Sequence, residues 1–149
     1  MMFGLVTAAG FGAEPAGFAH WTSSELKGYE KKLSTKAATD PAKIGSEALG
    51  KFGTHNAQIS HREASGVAEV HAKVADIFVV ESGEATLVVG GEVVGLKAQT
   101  EDEGRGTSIK GGKKVKLTAG DIVHIPAKMP HQLLLDGGKQ FTYFVVKID

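Results

Sequence analysis

The chain is 149 residues long, the size of one ordinary domain with a buried core. Lys plus Arg and Asp plus Glu both number 17, so nothing in the charge balance offers a basic footprint to nucleic acid or an anionic membrane. There is no cysteine, which excludes disulfides, thiolate nucleophiles, zinc fingers and iron–sulfur clusters, and 20 glycines against 4 prolines suit a chain of many tight turns.

Residues Met1 to Ala13 are uncharged and mostly apolar or small, and too short a run to span a bilayer. They read either as the apolar part of a secretory signal, which implies a secreted or periplasmic protein, or as an apolar tail packed on a cytoplasmic domain. Residues 14–53 read as a helical extension. Thr22-Ser23-Ser24-Glu25 is a capping box, and Leu26, Tyr29, Leu33 and Ala37 follow at helical spacing, with Trp21 as an anchor. Asp40-Pro41 predicts a second, short helix that stops near Gly50.

Residues 54–149 change to strands and turns. Strands are expected over Ala57–Glu63, Val67–Lys73, Asp76–Glu81, Ala85–Val89, Glu92–Leu96, part of Ser108–Leu117, Asp121–Ile125, His131–Leu135 and Phe141–Ile148. Turn signals separate them, among them Ser82-Gly83-Glu84, Gly90-Gly91, Gly111-Gly112 and Asp136-Gly137-Gly138. Short strands at this spacing make a sandwich or barrel. In the last strand Phe141, Tyr143 and Val145 face one way, and Phe144, Val146 and Ile148 the other. One face fills the barrel; the other needs a cover, from the helix or from a second subunit, and a homodimer is expected. Between Gln99 and Lys116 an acidic cluster runs into Gly104-Arg105-Gly106 and four lysines. It reads as a solvated loop and hairpin, or as a flap that brings Arg105 to an anionic ligand.

Two stretches resemble the paired motifs of the cupin superfamily. Gly120-Asp121-Ile122-Val123-His124-Ile125-Pro126-Ala127-Lys128-Met129-Pro130-His131 is similar to the second motif, with Lys128 and Leu135 where the family usually has Gly and Asn. Glu69-Val70-His71, then Asp76, then Gly83 keep the spacing of the first motif, with Glu69 in place of a histidine and Asp76 in place of a glutamate. The resemblance covers roughly Ala57 to Ile148 and implies a mainly β chain, a cupin-type β-barrel or jelly roll with an N-terminal helical extension.

It also implies a site. Glu69 and His71 share a strand face, and Asp76 and His131 would join them as ligands of a divalent first-row metal: Fe, Mn, Ni or Zn. In the competing reading Lys73, on the same face, neutralises a carboxylate and leaves a metal-free polar cluster. Lys73, Phe78, Val80 and Tyr143 are candidate pocket residues, with Phe141 as an alternative floor. His61 is either a pocket acid, base or ligand, or a structural histidine. His124 reads as structural, and His20 and His55 sit at segment ends. The partner is a small molecule. Function divides between a metal-dependent enzyme (oxygenase, isomerase or lyase) on a small polar organic molecule, a non-catalytic binding or sensing module, and a barrel with a vestigial site.

Overall fold

The computed structural model describes residues 12–149. The opening segment, residues 1–11, lies outside them, and with it the expected signal or tail. Helix α1 (Ser23–Thr39) begins at the expected capping box: Thr22 Oγ1 accepts from the Glu25 N–H at 3.2 Å, and Glu25 Oε2 accepts from the Thr22 N–H at 2.7 Å. Leu33 and Ala37 of the expected apolar stripe are buried. No helix is long and apolar enough to cross a membrane among the described residues.

The second helix is not there. Asp40 caps α1 and then turns the chain away, its Oδ1 accepting from the Ala42 N–H at 2.9 Å. Lys43 takes a left-handed φ of 53°, and the chain enters strand β1 (Ile44–Phe52). β1 pairs antiparallel with β2 (His55–Arg62), and α1 packs across both. The approach is close at Gly45, where a Cβ would lie 2.6 Å from the Leu33 carbonyl oxygen. The sheet therefore starts ten residues before the predicted strand region.

The remaining strands are β3 (Ala68–His71), β4 (Ala75–Val89), β5 (Glu92–Val94), β6 (Lys97–Ala98), β7 (Glu103–Gly106), β8 (Ser108–Lys110), β9 (Lys113–Thr118), β10 (Ile122–Ile125), β11 (His131–Leu134) and β12 (Phe141–Ile148). The large sheet runs β1-β2-β12-β4-β11-β3-β7-β6, with β10 and β9 also on β4; β5 and β8 form a small second sheet. All pairings are antiparallel.

The predicted turn at Ser82-Gly83-Glu84 is instead a bend inside β4. Gly83 has φ 77°, and a Cβ there would lie 1.9 Å from the Gln140 carbonyl oxygen. The register with β12 shifts by one residue between Thr142 and Tyr143, so the strand curls without ending. Before the bend β4 pairs with β12 and β10; beyond it, with β11 and β9. One strand thus belongs to both walls of the barrel.

Phe78, Leu87, Leu117, Ile125, Leu133 and Phe141 centre the core. The outer face of β12 is covered at Phe144 from within the chain: Trp21 packs against it with ring centroids 5.2 Å apart and the planes tilted by 54°. That part of the apolar surface needs no second subunit.

Candidate metal centre and cavity

Short β3 lies between β11 and β7. Its alternation points Glu69 and His71 to the same face. His131, the first residue of β11, is the register partner of Glu69, and on the other side Glu69 pairs with Arg105 and His71 with Glu103. Glu69, His71 and His131 each present a ligand atom within 4.8 Å of the others. They form a candidate divalent metal centre.

The protonation of His131 suits such a role. His131 Nδ1–H donates to the Met129 carbonyl at 3.0 Å, so the neutral ring turns its Nε2 lone pair toward the cluster. Burial, the largest influence on it, holds His131 below the usual histidine range and favours that neutral ring. His71 Nδ1–H donates to Glu103 Oε2 at 2.5 Å. Its Nε2 is buried and has no hydrogen-bond partner, because Asp76 Oδ2 is 3.1 Å away but off the line of a hydrogen bond. An orphaned buried nitrogen with the ring oriented by a carboxylate is the arrangement a metal-ligating imidazole needs. The residues therefore fit a divalent ion.

Asp76 sits beside this trio. Its Oδ2 is 3.6 Å from His131 Nε2, while its Oδ1 accepts from Lys147 Nζ at 2.9 Å. Lys147 is its register partner on β12. Burial pushes the Asp76 carboxyl up, but His71 and Lys147 together outweigh it and hold the group below the usual carboxylate range. The Asp76 carboxylate in turn raises His71.

Glu69, His71 and Asp76 lie in the wall of a cavity of about 720 Å³, and His131 is buried behind them, outside its lining. Phe78 and Tyr143 line it. Val80 does not; it is buried in the core. Lys73 does not either. β3 ends at His71, so Lys73 leaves the strand face, stands in solvent and pairs with Asp102 at 3.1 Å. The lysine beside the carboxylate is Lys147, which the sequence reading missed. The alternation Tyr143, Val145, Lys147 along β12 was the available signal.

His61 takes the structural one of its two expected roles and not the pocket one. Cavity-lining Gln58, Ser60 and Arg62 share one face of β2, and His61 faces the other, toward α1. It is fully buried, with Nδ1 2.8 Å from Thr142 Oγ1 and Nε2 3.2 Å from Glu63 Oε1. Ser34 of α1 donates to the same Glu63 oxygen at 2.9 Å. The histidine is part of a polar link that fixes the helix to the sheet. His124 is exposed on β10. Arg105 lies on the short strand β7 and not in a loop, half-exposed at the cavity, 3.4 Å from Glu69 Oε1 and 3.6 Å from Glu103 Oε1.

The Cupin domain family profile matches residues 103–147, a span that includes His131 but not the Glu69–Asp76 motif. Many solved structures are similar. One is the plu4264 protein of Photorhabdus luminescens (14% identity, TM-score 0.52, 74% of this chain and 78% of that one). Another is an uncharacterized conserved protein with a double-stranded β-helix domain from Klebsiella pneumoniae (18% identity, TM-score 0.54, 73% and 79%). A third is the polyketide cyclase RemF of Streptomyces resistomycificus (15% identity, TM-score 0.50, 70% and 64%). No curated protein matches the sequence. Motif spacing, barrel topology and the profile matched over residues 103–147 agree on one architecture, and the chain has the cupin fold.

Proposed function

We propose that the protein is a metal-dependent enzyme that takes a small polar organic molecule into the cavity and acts on it beside Glu69, His71 and His131. The observation that carries this reading is the pair of buried imidazoles, each with Nδ1 engaged and with ligand atoms that come within 4.8 Å of one another and of Glu69, at the edge of the cavity that Glu69 and His71 line. A divalent ion held there by Glu69, His71 and His131 would supply Lewis-acid chemistry. Around it, this chain's residues orient and screen: Glu103 fixes His71, Arg105 bridges Glu69 and Glu103, and Phe78 forms an apolar wall.

The experiment is metal analysis of the purified protein beside Glu69→Ala and His131→Ala. Loss of bound metal in both folded variants supports the site. Equal metal in wild type and both variants defeats it.

A second reading rests on the Asp76–Lys147 pair. The ammonium already neutralises the deepest carboxylate, which suits a metal-free pocket that binds or senses a ligand without turnover. Purified protein that carries a tightly bound organic molecule and no metal favours it. The expected homodimer is also a proposal; exposed Ile122 and Leu96 offer apolar surface for it, and the solution mass tests it.

A further inference from the structure

Three cations line the cavity: Arg62, Arg105 and Lys147. Two are matched by internal carboxylates, Arg105 by Glu69 and Glu103, and Lys147 by Asp76. Arg62 has no carboxylate within 4.0 Å among the described residues. Its one side-chain hydrogen bond runs from Nε to the Tyr143 hydroxyl, at 3.0 Å. That bond fixes the plane of the guanidinium and leaves both terminal nitrogens, with their four N–H groups, to a partner. The Tyr143 oxygen is an acceptor here, and its own proton has no acceptor among the described residues.

The guanidinium is seated as well as free. It lies against Gly66, where an added Cβ would be 2.9 Å from Nη1 and 3.1 Å from Cζ. Gly66 is itself pinned, its N–H donating to the Leu133 carbonyl at 2.8 Å and its carbonyl accepting from Gln132 Nε2 at 2.9 Å. A half-buried arginine that is held by a tyrosine, backed by a glycine and lacks a counter-ion is built to receive an anion.

Charge balance points the same way. The cavity carries three acidic groups (Glu69, Asp76, Glu103) and three basic ones (Arg62, Arg105, Lys147), so with neutral histidines it sums to zero. A divalent cation at the histidine cluster leaves an excess of two positive charges for a ligand to answer. We infer that Arg62, with the Tyr143 hydroxyl, is a carboxylate anchor, and that the molecule taken into this cavity is a small organic acid. The planar fork of arginine matches a carboxylate's two oxygens, while the phenol can donate a further hydrogen bond. This deepens the proposed function and rests on its reading of the cavity as a ligand site.

The test is calorimetric titration with acetate, lactate, malonate and succinate, each beside its uncharged amide. It is run on EDTA-treated protein and on protein loaded with nickel. At least one acid binds more tightly than its amide in both forms. Arg62→Gln weakens that binding at least tenfold, Arg62→Lys retains part of it, and Lys51→Gln, an equal loss of charge at an exposed position, leaves it unchanged. Gly66→Ala keeps the charge but crowds the guanidinium, and it weakens binding several-fold; it carries the test if Arg62→Gln does not fold. No acid binding better than its amide overturns the inference, as does a folded Arg62→Gln or Gly66→Ala with wild-type affinity. Metal content is measured on the same samples. Failure of the metal reading appears there, as metal unaffected by His131→Ala, and leaves the titration of the EDTA-treated protein intact.

Discussion

Glu69 and His131 are register partners on β3 and β11, with Oε2 and Nε2 3.9 Å apart. That pairing joins the two sequence motifs, which are separated by most of the barrel. It also sets the expectation for a residue outside the trio. Glu103 holds His71 from behind, so Glu103→Gln should weaken divalent-metal affinity about 10- to 100-fold while leaving the fold intact. Competition titration with a chromogenic chelator checks it, and unchanged affinity would separate Glu103 from the centre.

Lys147→Met removes the ammonium partner of Asp76, a carboxylate only 1% exposed. In metal-free protein the loss should cost about 3 kcal/mol, toward the low end for breaking a buried pair because the lysine is partly solvated. Urea denaturation in EDTA measures it. If the site takes a divalent ion, added metal restores part of the loss in Lys147→Met. A variant as stable as wild type in EDTA would show that His71 alone suffices for Asp76.

Glu63 gives a pH dependence remote from the metal centre. The Ser34 hydroxyl, and then His61, hold its carboxyl below the usual glutamate range. A folded value below the unfolded one contributes stability above the unfolded pKa of about 4.3, and that stability is lost as pH falls through the folded pKa. The melting temperature of wild type should therefore exceed that of Glu63→Gln near neutral pH. The gap should close below about pH 4.3. A gap constant from pH 7 to pH 3 would mean that the ionised carboxylate contributes nothing to helix docking.

Gly83→Ala should destabilise by at least about 2 kcal/mol, because φ 77° and the Gln140 carbonyl both oppose a side chain. Gly137→Ala, with open space around it, should change stability by less than about 0.5 kcal/mol. Thermal melts of the two variants side by side test whether the bend in β4, rather than glycine content as such, requires the residue.

Much of the architecture was legible because it depends on local pattern. Leu33 and Ala37 lie on the predicted helical stripe, and Phe141, Tyr143 and Val145 on the predicted inner face. The failures share a cause: the deciding interaction lies far away in sequence. Ile-Gly-Ser-Glu-Ala-Leu-Gly-Lys-Phe has little strand character of its own; β1 is a strand because β2 pairs with it. Glu-Gly-Arg-Gly reads as loop, yet β3 recruits it as β7. At the site, period-two alternation carried Glu69 and His71 but expired with the strand, so Lys73 was misplaced by two residues of bend. For His61 alternation left the pocket and the structural reading both open, since it does not say which face the helix covers.

The position of β12 bears on how the protein is made. β12 lies between β2 and β4, and the other partners of β4 (β9, β10 and β11) all follow β4 in the chain. While the polypeptide emerges from the ribosome, β2 has only β1 beside it, and the edges that β2 and β4 turn toward each other stay open until residues 141–148 appear. Both must wait with open edges, the condition that most invites pairing with a neighbouring chain. Closure is therefore a late event in the life of the nascent chain, and the protein depends on rapid insertion of one strand for its solubility during synthesis.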